Sequence, residues 1–140
     1  MSAILCLALN IFWEARSEDK FGVMAMAAPA MVVLNRVADP RYPNDVCKVV
    51  RQAKKNHNGF PKKNQCQFSW YCDGKIDLPM NKEAWKWSKL IARMVLEGKI
   101  EDVTNGATHY HAHYVNPQWN IKKTFTGKIG SHLFYRWERS

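Results

Sequence analysis

Apolar residues come in blocks along this chain, and their spacing changes from helical to alternating about two-thirds of the way along. The first block, Ala3-Ile-Leu-Cys-Leu-Ala-Leu-Asn-Ile-Phe-Trp13, predicts a helix. With Ile4, Leu5, Ala8, Ile11 and Phe12 it would be apolar nearly all round, and therefore buried. A second helix is predicted from about Lys20 to Val37, with Val23, Ala27, Ala30, Met31 and Leu34 on one side. Pro29 is expected to interrupt and kink it, because proline removes a helical hydrogen bond. Asp39-Pro40-Arg41-Tyr42-Pro43 then ends the segment in an extended turn. A short helix follows from Asn44, read as its N-cap, through Val46, Val49 and Val50 to about Ala53.

From Lys54 to Lys63 the composition turns to Lys, Asn, His, Gly and Pro, which reads as an exposed loop. Gln65 to Tyr71 is aromatic and strand-like, closed by the turn signal Asp73-Gly74. Asn81 caps the most regular helix, with Glu83 in its first turn. Ala84, Trp87, Leu90, Ile91, Met94 and Val95 form that helix's apolar stripe, and Gly98 ends it. Thr108 to Val115 alternates and predicts a strand, and Ile129 to Trp137 predicts another. Helices first and strands last describe an α+β fold, helix-rich with a small antiparallel sheet.

The 140 residues are enough for one core and are read as a single domain, residues 1–140. Six Trp, six Phe and five Tyr exclude a disordered chain. A net charge of +9 points to an anionic partner. The basic residues are dispersed, with short pairs at Lys54-Lys55, Lys62-Lys63 and Lys122-Lys123, which argues against nucleic acid. The N-terminal apolar block lacks a basic leader and a cleavage pattern, and is too short to span a bilayer. It reads as a core helix, without stable membrane insertion, so a substrate outside the cytoplasm would have to be reached by another route. Cys6, inside that helix, is expected to be a free core thiol. Cys47, Cys66 and Cys72 flank the central loop, and Cys66–Cys72 or Cys47–Cys66 are the candidate disulfides. No Cys-x-x-Cys pair raises the case for zinc.

Glu14 is the acidic residue of the first seventeen positions, at the end of the apolar block. On a helix it stacks over Asn10 and Ile11. A carboxyl half-sunk there is harder to ionise, so it holds a proton near neutrality and can act as a general acid. The plainer reading is a helix-end Glu paired with Arg16 or Lys20. His109, His111 and His113 alternate on one strand face, which suits either half a metal site or a polar, substrate-facing surface. Gln65-Cys-Gln-Phe-Ser-Trp-Tyr-Cys-Asp-Gly74 combines aromatic rings with amide and hydroxyl groups, as a sugar groove requires.

Glu14-Ala15-Arg16, Val32-Val-Leu-Asn-Arg-Val37 and Tyr42-Pro43-Asn44 with Val46-Cys-Lys-Val-Val50 stand in order along the chain. Cys66-Gln-Phe-Ser-Trp70 with Cys72-Asp73-Gly74, then Gly106-Ala-Thr-His-Tyr-His111 through Tyr114-Val115, Pro117 and Trp119, then Ile129-Gly-Ser-His-Leu-Phe134 continue the series. These blocks together resemble the cell-wall hydrolase family of the spore-cortex-lytic type. Pro29 departs from the helix continuity usual in that family, and His113 stands where relatives often carry an acidic residue.

The resemblance implies a lysozyme-like fold and cleavage of the MurNAc–GlcNAc β-1,4 bond of peptidoglycan, with Glu14 as the catalytic acid and no cofactor. It further suggests a lytic transglycosylase, which leaves 1,6-anhydro-MurNAc ends and needs one carboxyl. Gln67, Ser69, Tyr71, Asp73, His109, Tyr110 and His111 are the candidates for holding the substrate. A hydrolytic muramidase would need a second carboxyl, for which Asp73, Asp77 or Glu18 are the candidates, and a zinc amidase would use the histidine face. A lone, monomeric catalytic domain of this kind resembles a phage endolysin. It would be held in the host cytoplasm until a holin releases it to the wall.

Overall fold

The computed structural model describes residues 2–55, 61–66 and 81–138. Helix α1, Ala3–Ala15, lies at the centre and packs against all three other helices. It buries Leu7, Ala8, Ile11 and Phe12 completely, as an all-round apolar helix should, while Leu5 near its start stays 41% exposed. A 3-10 helix, Arg16–Phe21, follows directly. Gly22, at φ +95, then turns the chain into α2, Val23–Ala38, so the expected second helix begins three residues later than predicted.

Pro29 does not interrupt α2. It lies inside a helix that runs unbroken from Val23 to Ala38, and it is buried. Its neighbours Ala28 and Ala30 are fully buried, one in each of two adjoining apolar clusters, so packing on both sides offsets the missing hydrogen bond. Helix α3 is short, Val46–Val50, and its cap is Asp45 rather than Asn44: the Asp45 carboxylate accepts from the Lys48 amide at 3.0 Å.

Cys6 is bonded to Cys47, with Cα atoms 5.3 Å apart. The free thiol expected at Cys6 is therefore wrong, and so is the Cys47–Cys66 pairing. α1 turns Cys6 toward α3, where the first turn presents Cys47, and sequence spacing does not reveal that packing. Part of the expected loop is also strand: β1, Ala53–Lys55, pairs antiparallel with β2, Pro61–Cys66.

Helix α4, Lys82–Leu96, starts as predicted, with Asn81 accepting from the Ala84 amide at 3.0 Å. Its packed face is Ser88, Ile91, Ala92 and Val95, whereas Trp87 and Leu90 of the predicted stripe are 46% and 43% exposed. The packed face thus carries small Ser88 and Ala92, while the larger Trp87 and Leu90 turn outward.

The remaining strands form one antiparallel sheet in the order β3-β5-β4: β3 His109–Ala112, β4 Thr124–Ile129 and β5 His132–Arg136. The tail strand expected from Ile129 to Trp137 is β5, and β4, which forms a hairpin with it, lies just before the expected strand. β3 pairs with β5 from His109–Tyr135 to Ala112–His132. Phe134 and Ala107 pack on Ala28 and Val32, which seats the sheet on α2. Two consecutive α2 residues complete the seat. Asn35 Nδ2 donates to Asp102 Oδ2 and to the Ala107 carbonyl, both at 2.9 Å. Arg36 Nε donates to the Thr108 carbonyl at 2.7 Å, one residue before β3 begins.

Candidate active site

Glu14 sits in the last turn of α1, partly exposed, with fully buried Asn10, Ile11 and Ala15 around it. The Tyr110 hydroxyl, from β3, donates a hydrogen bond to Glu14 Oε1. Burial raises the Glu14 pKa above the ordinary carboxylate range; the Tyr110 hydrogen bond and the charge of Arg36 work against that rise without cancelling it. The Tyr110 phenol is pushed well above its usual value by burial and by Glu14, so it stays protonated and remains a donor. Glu14 is therefore a carboxyl that is harder to ionise than an ordinary glutamate and is held by the Tyr110 hydroxyl.

The alternation of β3 divides the three neighbouring candidates between two faces. Tyr110 points toward the helices, its ring centroid 5.5 Å from Phe134 and 5.1 Å from His132. His109 and His111 point the other way, to a cluster built on Trp119, Tyr135 and Trp137. His111 stacks on Tyr135, and its Nε2 lies 2.9 Å from the Tyr135 hydroxyl. Burial and the charges of Arg36, Lys123 and Arg41 lower the His109 pKa to about 3, so that ring is neutral at working pH. The structure thus brings Tyr110 to Glu14, and not His109 or His111. His113 lies past the strand, exposed. Among the described residues no three His, Cys, Asp or Glu side chains are grouped as a metal site.

Glu18, one of the candidates for a second carboxyl, is committed elsewhere. It is 2% exposed, its Oε1 accepts from the Ser131 amide at 2.8 Å and its Oε2 from the Ser131 hydroxyl at 2.6 Å. His132 Nδ1 lies 3.3 Å from the same carboxylate. This bond set fastens the β4–β5 turn to the 3-10 helix. Gly130, at φ +57, makes the approach possible, because a Cβ there would stand 2.5 Å from Glu18 Oε1. Gln67, Ser69, Tyr71, Asp73 and Asp77 lie outside the described residues.

A family model described as Cell Wall Hydrolase matches residues 20–135 of this sequence. The chain belongs to the cell wall hydrolase family. The spore cortex-lytic enzyme of Bacillus cereus is 28% identical over 138 residues, a stretch that takes in 94% of this chain and 43% of the relative. The chain thus spans less than half the length of that relative. Among solved structures, the catalytic domain of the Bacillus cereus SleB protein matches with TM-score 0.66 and 25% identity, covering 96% of this chain and 89% of that one. The catalytic domain of the germination-specific lytic transglycosylase SleB from Bacillus anthracis matches with TM-score 0.69 and 27% identity, covering 97% of each chain. The α+β, helix-rich architecture is therefore the one these family members share.

The family match begins past Glu14, so geometry carries the case for that residue. Two polar residues that tie α2 to the segment before β3, Asn35 and Arg36, went unnamed in the candidate residues read from sequence. The available signal was two adjacent polar residues inside the apolar run Met31 to Ala38, since buried polar groups need partners or a purpose.

Proposed function

We propose that this chain degrades peptidoglycan as a lytic transglycosylase, cleaving the MurNAc–GlcNAc β-1,4 bond with Glu14 as its single acid and base. In the first half of the reaction the Glu14 carboxyl gives its proton to the glycosidic oxygen, the bond from that oxygen to the muramic anomeric carbon breaks, and GlcNAc leaves with a restored hydroxyl. In the second half the Glu14 carboxylate takes the proton of the muramic 6-hydroxyl as that oxygen bonds to the anomeric carbon. Glu14 ends protonated again, and no water is consumed.

One observation carries this reading. Glu14 is a carboxyl whose pKa burial raises and which the Tyr110 hydroxyl holds, as a single group that first gives and then takes a proton requires. A hydrolase needs a second carboxylate to activate water or to form a covalent intermediate; of its candidates, Glu18 is held by Ser131, and Asp73 and Asp77 lie outside the described residues. One structural relative, the SleB catalytic domain from Bacillus anthracis, is a germination-specific lytic transglycosylase, which supports the same reaction.

The test is to digest purified peptidoglycan and weigh the products. Anhydro-muropeptides are expected, and Glu14→Gln is expected to lower their yield by about a thousandfold with an unchanged circular dichroism spectrum. Hydrated reducing ends would show hydrolysis instead, and free stem peptides would show an amidase.

A further inference from the structure

His109 and His111 are substrate-holding candidates that the fold turns away from Glu14, onto the outer face of the β3-β5-β4 sheet. What surrounds them there is a second aromatic surface. Tyr135 of β5 lies opposite His109 in the ladder, and its ring stacks on His111 with centroids 5.3 Å apart. On its other side Tyr135 faces Phe125 of β4, at 5.5 Å. A second 3-10 helix, Gln118–Lys122, brings Trp119 edge-on to Tyr135 at 5.4 Å. Trp137, just past β5, stands 6.3 Å from the His109 ring.

Covering the sheet explains only part of this surface. Tyr135 is buried by it, but Phe125 stays 54% exposed and Trp137 39%. Ile121 of the second 3-10 helix is exposed as well. Large apolar groups left together in water at one face mark a surface that meets a partner.

Cations frame the rings. The Arg41 guanidinium carbon lies 3.8 Å from the centre of the Trp137 ring, and Lys123 Nζ lies 5.4 Å from Trp137 and 5.9 Å from Trp119. Leu133 of β5 lies opposite both His111 and Lys128, so Lys128 shares the outer face. Lys122 ends the second 3-10 helix, and both of these lysines are exposed. Asp39 and Glu138 are already paired, with Arg41 and Arg136. Among the described residues Lys122, Lys123 and Lys128 have no such pair. The face therefore combines aromatic rings with unbalanced positive charge.

We propose that this outer face is a second, non-catalytic binding surface for peptidoglycan, in which sugar rings stack on Phe125 and Trp137 while stem-peptide carboxylates lie against Lys122, Lys123 and Lys128. This inference rests on the reading of peptidoglycan as the substrate. Pyranose rings offer C–H faces to aromatic rings and hydroxyls to N–H donors. The indole N–H groups of Trp119 and Trp137 and the imidazole of His111 make the surface hydrogen-bonding as well as apolar. That suits sugars and amides, whereas acyl chains would leave those groups unmatched. Successive residues of β3 face opposite sides, so a strand held here is not the one at Glu14. Holding one strand of the wall keeps its neighbours at high effective concentration for the site on the other side.

The test separates binding from cleavage. Phe125→Ala, and separately the pair Lys122→Gln with Lys128→Gln, are added to the full Glu14→Gln chain, and the fraction that sediments with purified sacculi is measured. Each is expected to weaken binding about three- to tenfold with an unchanged Tm. The lysine pair should also flatten the dependence of binding on salt. A second measurement needs no surface variant in the chain under test. The 15N-indole signals of Trp119 and Trp137, assigned through Trp119→Phe and Trp137→Phe, are followed as soluble muropeptides with intact stems are added to Glu14→Gln, and both should shift saturably.

Undiminished sedimentation of the variants, with the Trp119 and Trp137 signals unmoved, would overturn the proposal. Losses confined to vesicles of phosphatidylglycerol or to single-stranded DNA, with sacculus binding untouched, would give the face another partner and overturn it too. A parent chain that neither binds nor cleaves sacculi would instead sink the peptidoglycan reading itself, so the two failures are distinguishable.

Discussion

Tyr110 shows what a single strand residue does when its neighbours on either side face the other way. Its ring packs between Phe134 and His132, and its hydroxyl reaches Glu14. Sequence reading gives Tyr110 a sugar-holding role; the geometry places its hydroxyl on Glu14, the proposed acid. These roles predict different kinetics. Tyr110→Phe keeps the ring and removes only the donor, so the Glu14 pKa should rise and the alkaline limb should move up. Loss of one hydrogen bond to a charged group, about 1.5–3 kcal/mol, corresponds to a kcat roughly 10- to 100-fold lower. A pH–rate profile measures both. An increase in KM with an unmoved limb would return Tyr110 to the substrate-holding role. Glu18 gives the opposite lesson: a carboxyl four positions from Glu14 points away from it, into the Ser131 turn, and contributes to the fold instead.

At the scale of elements, local signals and packing signals separate cleanly. The cap of α4 at Asn81 and the alternation in β3 are written in neighbouring residues, and both were legible. β4 was not. Its run Thr-Phe-Thr-Gly-Lys-Ile carries a glycine and few apolar residues, and its ladder with β5 is irregular between Phe125 and Gly127. The packed face of α4 was also hidden, because it carries small Ser88 and Ala92 rather than Trp87 and Leu90. The link from α1 to α3 is another such case. Cys6–Cys47 closes a sequence separation of 41 residues, so Cys6→Ser should destabilise the fold by about 4 kcal/mol in the chain-entropy account. Urea unfolding of the variant and of the reduced parent checks this, and a difference under 1 kcal/mol in both would argue that the bond adds little. Cleavage at low temperature should survive the substitution, since Cys6 lies two helical turns from Glu14.

At the scale of the whole molecule, charge is the property that matters. A net charge of +9 attracts the chain to an anionic wall over distances set by the Debye length, about 10 Å at 0.1 M salt. Raising salt from roughly 0.05 to 0.5 M should therefore slow turnover of intact sacculi several-fold. The rate on short, uncharged glycan fragments should change little. Turbidity loss on sacculi set beside chromatography of the fragments makes the comparison, and equal sensitivity would place the salt effect in the site itself. No described helix is long and apolar enough to cross a membrane.

The sequence by itself determined the α+β class, the buried first helix, the capped α4 and the family, because periodicity, caps and ordered motifs are properties of residues close together in the chain. It also picked out Glu14, an acid closing an apolar run. Only the tertiary structure decided what Glu14 meets. Tyr110 is 96 positions away, and it arrives on a strand of the sheet. Whether a carboxyl is an acid or an ion-pair partner depends on the solvation and charge that distant segments bring to it, and those contacts exist only once α1, α2 and β3 have packed.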